Sequence, residues 1–278
     1  MRLDAAILTA TERLSASSES PRRDAEILLC RTIDMPRSYL FAHPEDTLDD
    51  LTRDRFEELV GRRQAGVPIA YIMGIKEFWS RDFVVSPATL VPRPETELLV
   101  NLAMREIPGE EAWQVLDLGT GSGAIAVTIA CERPLCQVTG VDISEDALAV
   151  ARENARVHAP GNVEFVQGSW IAPVRDRTFD IVLSNPPYVA AGDRALQDLQ
   201  HEPVSALVAG PEGLNAISVL VIDCRDVLAE GGLLLLEHGA GQGDRVAGLL
   251  EAAGWTDIQG HNDLAGLPRV TGARRGGK

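Results

Sequence analysis

The stretch Asn185-Pro186-Pro187-Tyr188 combines residue types that could recognise a planar NH2 group. It ends the apolar run 179–184, and its two prolines hold φ at about −65° and remove two backbone N–H donors. The corner therefore offers mainly acceptors, the Asn185 side-chain oxygen and the Pro186 carbonyl, beside the flat ring of Tyr188. Such a set suits a carboxamide or the exocyclic amine of adenine or cytosine. The structural alternative is a strand exit that the prolines merely stiffen.

A glycine-rich turn indicates a second component of the site. Residues 114–126 have the order strand, turn and helix, and Asp117 precedes the turn. Glycine permits tight backbone geometry and close approach of a ligand, and the N-terminus of the next helix offers free N–H groups to an anion. The turn consists of Gly119, Thr120, Gly121, Ser122 and Gly123.

Asp142 ends the next apolar strand, where a carboxylate can accept hydrogen bonds from two ribose hydroxyls. The alternative for Asp142 is a helix N-cap aided by Ser144. The glycine spacing differs from the G-x-G-x-x-G pattern of dinucleotide sites. Spacing by itself nevertheless leaves a dinucleotide and S-adenosylmethionine both open as the ligand.

The region from about residue 113 alternates strands with helices, which predicts an α/β fold with a mostly parallel sheet and helices on both faces. The predicted strands cover 113–118, 137–142, 163–167, 179–184 and 232–238. The predicted helices cover 122–132, 145–158, 214–229 and 242–253. Both site components then lie at the carboxyl ends of strands, where open α/β sheets bind ligands. The tail from Ala273 to Lys278 is expected to be frayed.

The first 75 residues have helical patterns. Ser20-Pro21 begins one predicted helix, and Gly66 ends another that carries Phe56 and Val60 on one face. The character of the sequence changes over residues 66–94, and within them 77–85 alternates with β-branched and aromatic residues, which is typical of a hairpin. We therefore predict a helical domain over 1–75, a β-hairpin linker over 76–94 and a catalytic domain over 95–278.

The overall composition narrows the class of function. The 278 residues carry 26 basic and 41 acidic side chains, a net charge of −15, which argues against a protein that follows a nucleic-acid backbone. The N-terminus does not resemble a signal peptide, and the apolar runs are too short to cross a bilayer. The four cysteines lack metal-ligand spacing, so we expect a cytoplasmic, reduced protein without a metal site.

The chain resembles the bacterial release-factor glutamine methyltransferases of the HemK or PrmC type along nearly its whole length. The segment Val91–Glu97 distinguishes this resemblance from one to methyltransferases in general. The matching segments are 21–29, 68–74, 77–79, 90–97, the glycine turn with Asp142, 185–188, 202–203 with 206–207, and 210 with 212–214.

The resemblance implies a helical N-terminal domain that grips the release factor and a Rossmann-like, class I S-adenosylmethionine-dependent methyltransferase domain. It implies methyl transfer to the side-chain nitrogen of the glutamine in the Gly-Gly-Gln motif of class I release factors. We also expect the protein to be a monomer. The turn with Asp117, Asp142, Trp170 and Asn185 would contact the cofactor, and 185–188 would contact the glutamine.

Several alternatives remain open beside this interpretation. Trp170 could be a partly buried core residue, and Arg93 and Glu95 could order the loop over the site or form salt bridges in the domain linker. The chain could also be a ribosomal-protein glutamine methyltransferase, a DNA or RNA adenine N6-methyltransferase, or a cofactor-binding assembly factor without turnover. The acidic balance argues against the nucleic-acid enzymes.

Overall fold

The computed structural model describes residues 1–277, which form two compact units, Met1–Ile75 and a second that begins at Lys76. The first unit is helical. It contains α1 (Leu3–Leu14), α2 (Pro21–Ile33), α3 (Arg37–Ala42), α4 (Asp50–Gln64) and α5 (Ile69–Met73).

The core of the first unit is formed by apolar side chains that α1, α2 and α4 turn inward, among them Leu14, Leu28 and Phe56. Proline is favoured at the first position of a helix because its missing N–H has no partner there, which explains why α2 begins at Pro21. The Asp49 side chain accepts a hydrogen bond from the Thr52 N–H at 2.8 Å and caps α4. Local sequence and apolar burial thus agree in this unit.

A hairpin of β1 (Ile75–Phe78) and β2 (Arg81–Val84) follows, and all of its residues after Ile75 belong to the second unit. Trp79 and Ser80 form its turn with φ of 54° and 56°, as a two-residue hairpin loop with both central residues left-handed requires. Phe78 and Phe83 are buried in the same core cluster as apolar residues of α6 (Glu97–Glu106), so the hairpin contributes to the core of the second unit.

A seven-stranded sheet forms the centre of the second unit, with the strand order β5-β4-β3-β6-β7-β9-β8. The first five strands in this order are parallel, and β9 pairs antiparallel with both β7 and β8. The strands are β3 (Gln114–Leu118), β4 (Gln137–Asp142), β5 (Val163–Gln167), β6 (Phe179–Ser184), β7 (Leu228–Glu237), β8 (Trp255–Asn262) and β9 (Pro268–Arg275).

Helices cover both faces of this sheet. Side chains alternate between the faces along a strand, so Val115 packs on the side of α6 and α7 while Leu116 packs on the side of α9 and α10. Burial on both faces explains why the parallel strands have nearly continuous apolar sequences. The remaining helices are α7 (Ala124–Glu132), α8 (Glu145–His158), α9 (Asn215–Val227) and α10 (Gly243–Ala252).

The expectation of a frayed tail is wrong for residues 273–275. They belong to β9, and Ala273 is fully buried opposite Leu234 of β7. The free edge of β7 supplies hydrogen-bond partners for the backbone of this segment, and its polar sequence gives no sign of that pairing. Gly276 and Gly277 lie beyond the strand, and Lys278 lies outside the described residues.

Candidate functional site

A cavity of about 420 Å³ lies at the carboxyl ends of β3, β4 and β6. The order of the strands reverses between β3 and β6, and open α/β sheets bind ligands at such a switch point. The predicted site residues that line the cavity are Gly119, Thr120, Gly121, Ser122, Asp142, Trp170, Asn185 and Pro187. Four predicted site residues lie outside this lining: Asp117, Gly123, Pro186 and Tyr188. The last three are next to a lining residue in sequence, and Asp117 is hydrogen-bonded to the lining residue Thr120.

Asp142 is joined to the glycine turn by a hydrogen bond. Its Oδ2 accepts from the Gly121 N–H at 2.9 Å, and its Oδ1 accepts from the Ser144 N–H at 2.9 Å. Ser144 caps α8 by accepting from the Ala147 N–H at 3.2 Å, so the N-cap position belongs to Ser144 and not to Asp142. A carboxylate has about four acceptor positions, so Asp142 retains capacity for ligand hydroxyls.

Trp170 lines the cavity opposite the glycine turn. Its ring lies 3.7 Å from the position that a Cβ on Gly119 would take, and Gly119 has φ of +74°. Trp170 itself has φ of +48°, which is unusual for a large side chain. The ring also packs against the core cluster on the α9 side, so Trp170 is both a cavity wall and a partly buried core residue.

Asp117 lies beneath the glycine turn, fully buried. Its Oδ2 accepts from the Thr120 hydroxyl at 2.6 Å, while Oδ1 has no hydrogen-bond partner within the described chain. Burial raises the pKa of the Asp117 carboxyl from an ordinary 3.8 to about 7. The Asp117 carboxyl therefore fixes the glycine turn through Thr120. Its burial lowers folding stability by an amount that increases as the carboxyl ionises.

We expect Asp117→Asn to reduce the loss of folding stability that occurs as pH rises. The unfolded carboxyl releases its proton near its ordinary pKa, but the folded one retains it to about 7, so stability falls between these values. The asparagine removes up to roughly 4 kcal/mol of that fall. Urea denaturation between about pH 4 and 8 measures it, and an unchanged slope in the variant would mean that Asp117 is ionised throughout.

Asn185 follows the end of β6 and lines the cavity. Its Nδ2 donates to the Thr96 hydroxyl oxygen at 3.0 Å. Its Oδ1 is buried and has no hydrogen-bond partner among residues 1–277. A buried amide oxygen without a partner is costly in a native protein, which marks it as an acceptor available to a ligand.

Tyr188 is held from two sides. Its hydroxyl donates to Oε1 of the buried Glu237 at 3.4 Å, and its carbonyl accepts from Gln242 Nε2 at 3.1 Å. Burial raises the pKa of the Tyr188 hydroxyl, which therefore stays protonated as a donor. Gly213 has φ of +71°, and a Cβ there would lie 2.2 Å from the Tyr188 carbonyl oxygen. A side chain at 213 would therefore displace the corner.

The loop before α6 forms a further wall of the cavity, and the sequence pointed only to Arg93 and Glu95 as residues that could order it. Its residues Ala88, Thr89, Leu90 and Pro92 line the cavity. Glu202 fixes it, because one carboxylate oxygen accepts from the Val91 N–H at 3.0 Å and the other pairs with Arg93. The Arg93 ion pair thus lies within the second unit and orders the loop at the cavity. The matching segments 90–97 and 202–203 contain these residues, but no pattern in the sequence pairs them.

The described residues contain no cluster of three or more His, Cys, Asp or Glu side chains suited to a metal ion. None of the helices within residues 1–277 has the length and apolar character needed to span a membrane.

Known proteins similar to this chain decide its family. The chain is 46% identical over 276 residues to a protein of Vibrio cholerae named release factor glutamine methyltransferase, covering 97% of this chain and 95% of the relative. A protein of the same name from Coxiella burnetii is 43% identical over 266 residues, with 96% of each chain covered. The chain belongs to the release factor glutamine methyltransferase family.

Domain families and a solved structure agree with this membership. Residues 5–74 match the family described as PrmC N-terminal domain, and residues 110–251 match the family described as methyltransferase domain. The crystal structure of a methyltransferase from Pyrococcus furiosus shares the fold, with a TM-score of 0.57 and 20% identity over 78% of this chain and 99% of that one. The predictions of the family, of a methyltransferase that uses S-adenosylmethionine, and of a Rossmann-like domain after a helical N-terminal domain are confirmed.

Proposed function

We propose that this methyltransferase transfers the methyl group of S-adenosylmethionine to the side-chain amide nitrogen of the glutamine in the Gly-Gly-Gln motif of class I peptide-chain release factors. The modification would modulate translation termination. The observation that carries the proposal is the buried, unpartnered Oδ1 of Asn185, an acceptor at the cavity of a protein whose relatives are named for glutamine methylation.

The cavity residues divide into two proposed groups. The glycine turn, Asp142 and Trp170 would hold the cofactor, since they combine backbone space, a carboxylate at a strand end and an aromatic wall. Asn185 also borders this part. The residues Asn185, Pro186, Pro187 and Tyr188 would hold the glutamine amide. S-adenosylmethionine supplies an electrophilic methyl group when it is bound.

An amide nitrogen is a poor nucleophile because its lone pair is delocalised into the carbonyl. Asn185 Oδ1 and the Pro186 carbonyl can accept hydrogen bonds from the two N–H groups of this nitrogen and so orient it. The same hydrogen bonds stabilise the more positive charge that the nitrogen carries in the transition state. Orientation by these fixed groups would supply a large part of the acceleration. The amide nitrogen that has gained the methyl group is strongly acidic, so it can release one proton to water after the transfer, and no strong base is required. The ring of Tyr188 would pack against the amide plane and help to exclude water.

The proposal is tested with labelled S-adenosylmethionine and a recombinant class I release factor, either wild type or with the Gly-Gly-Gln glutamine replaced by alanine. We expect label on the wild-type factor alone, at that glutamine. Label on both factors would place the reaction at another residue. Label on ribosomal proteins or on nucleic acid in place of the factor would support one of the alternative substrates.

We further propose that residues 1–75 are the docking domain for the release factor, that residues 76–94 connect it to the catalytic domain over 95–278, and that the enzyme acts in the cytoplasm as a monomer. The first unit has its own apolar core, and the core clusters of the second unit contain no residue before Phe78.

Residues 76–278 alone should therefore bind the cofactor with nearly wild-type affinity, measured by calorimetry. We expect them to methylate intact release factor at least roughly tenfold more slowly, since docking contacts position the substrate. Undiminished methylation would contradict the docking role.

A further inference from the structure

A buried carboxyl group lies behind the acceptor corner. Glu237 ends β7, the strand next to β6, and is 1% exposed. Its Oε1 accepts the hydroxyl of Tyr188, and its Oε2 has no hydrogen-bond partner in the part of the chain that the structure describes. The chemistry proposed above gives Glu237 no role, although a buried carboxyl is costly to retain.

Thr96 connects this carboxyl with Asn185. It follows Arg93-Pro94-Glu95 at the start of α6 and is 4% exposed. The Thr96 oxygen accepts from Asn185 Nδ2 at 3.0 Å, and its hydroxyl interacts with the Glu237 carboxyl and lowers the pKa of that group. In the described chain the hydrogen bond of full geometry to Glu237 Oε1 comes from Tyr188, and Oε2 has no partner, so the Thr96 interaction with this carboxyl lacks that geometry. Thr96 is therefore placed between a carboxyl and an amide.

The single hydrogen of a threonine hydroxyl decides what the other two groups can do. If that hydrogen is directed to Glu237, Thr96 offers only lone pairs to Asn185, and the NH2 end of the amide must face it. If the hydrogen were directed to Asn185, the amide would turn over, because its oxygen and nitrogen ends have nearly the same shape. The amide would then present NH2 to the NH2 of a substrate, donor against donor.

We infer that Thr96 and Glu237 are positioning residues that set the donor–acceptor polarity of Asn185 and so reserve its Oδ1 for the substrate. The inference rests on the proposed function in that the substrate group is an NH2. Tyr188, bound to the same carboxyl, is fixed relative to Asn185 by the same pair. Thr96 belongs to the segment Val91–Glu97, which separates this family resemblance from one to methyltransferases in general, and the positioning of Asn185 gives that residue a physical role.

The charges around Glu237 agree with an acceptor role. Burial raises the pKa of the Glu237 carboxyl to about 7, while Thr96, the cation of Arg269 and the Tyr188 hydroxyl favour its ionised form. The charge of Glu95 opposes ionisation. A carboxyl that is ionised in a large part of the molecules near neutral pH attracts the Thr96 hydrogen in the direction that the inference requires.

Single-turnover kinetics with the release factor test the inference. We expect Thr96→Val to slow methyl transfer by roughly 10- to 100-fold, the effect of a misplaced catalytic group, with cofactor affinity within about twofold of wild type. Thr96→Ser keeps the hydroxyl and should stay within about threefold of wild type. Thr128→Val is the matched control, because Thr128 is also buried but its hydroxyl has no partner in the described chain and lies outside the cavity.

Glu237→Gln should also slow transfer, because its amide can donate to Thr96 and reverse the polarity. The double variant Thr96→Val/Glu237→Gln should be no more than about twofold slower than the slower single variant, since both act through one interaction. Losses that multiply would contradict a shared route. Glu237→Gln also provides the test if Thr96→Val does not fold.

An NMR measurement on the ligand-free protein separates this inference from the proposed function. The Asn185 side-chain NH2 signal is identified by its loss in Asn185→Ala. We expect it to shift in Thr96→Val and Glu237→Gln and to be retained in Thr96→Ser and Thr128→Val. An unshifted signal in the first two variants would overturn the inference. If the signals shift as expected but the wild-type enzyme transfers no label to the release factor, the proposed substrate is wrong. The inference that Thr96 and Glu237 set the donor–acceptor polarity of Asn185 then still holds.

Discussion

Asn185→Ala is expected to bind S-adenosylmethionine with nearly wild-type affinity but to transfer methyl to the release factor on the order of 10²–10³-fold more slowly, as when one oriented hydrogen-bonding group is removed from an active site. The substitution removes the unpartnered Oδ1 at the cavity. Calorimetry measures cofactor affinity, and single-turnover label transfer measures the chemical step.

The exposed Asn101 on α6 gives the matched control, since Asn101→Ala removes the same amide from a residue that does not line the cavity. This control should retain wild-type turnover. Turnover of Asn185→Ala within about tenfold of wild type would refute the proposed role of its oxygen, because a single oriented group is worth more than this at an active site. A loss of cofactor affinity equal to the loss of rate would assign Asn185 to the cofactor alone.

Asp142→Ala is expected to raise the dissociation constant of S-adenosylmethionine by roughly 100-fold, which corresponds to about 2.7 kcal/mol. In the proposed role the carboxylate accepts hydrogen bonds from ribose hydroxyls, and hydrogen bonds to a charged group contribute about 1.5–3 kcal/mol. Isothermal titration calorimetry of the full chain measures this change. The rate at saturating cofactor should fall much less than the affinity.

The control for this variant is Asp226→Ala, which removes an exposed carboxylate on α9 and should leave affinity unchanged. Asp142 also accepts from the Gly121 and Ser144 N–H groups, so thermal denaturation must accompany the binding measurement. Unchanged affinity in a folded Asp142→Ala would refute the cofactor role. Asp142→Asn retains an acceptor and should fall between wild type and Asp142→Ala.

The parallel strands could be predicted closely because each is an apolar run bounded by turn residues. The strands 137–142, 163–167 and 179–184 agree with the structure residue for residue. β7 was predicted from 232 but begins at Leu228, through an irregular register beside Phe179. The sequence pattern does not contain that irregularity, because it arises from pairing with β6.

The C-terminal hairpin shows where local pattern is insufficient. β8 contains Gly260 and mostly polar, exposed residues, so it lacks the alternation of a half-buried strand. β9 forms because β7 offers an open edge, and it covers that edge with Val270 and Ala273 buried. β9 pairs with residues of β7 that lie 33 or more positions earlier in the chain, from Glu237 opposite Val270 onward, and β8 pairs in turn with β9.

The sequence by itself determined the chemistry of the acceptor corner, the glycine turn and Asp142, because proline, glycine and aspartate have properties that depend little on their surroundings. It also determined the family, through ordered matches along the chain. The tertiary structure alone decided that Thr96 meets Asn185 and Glu237, and that Arg93 meets Glu202. These partners come from segments about 90 or more residues apart, and their contact depends on strand order and on buried side-chain direction, which no local pattern of residues encodes.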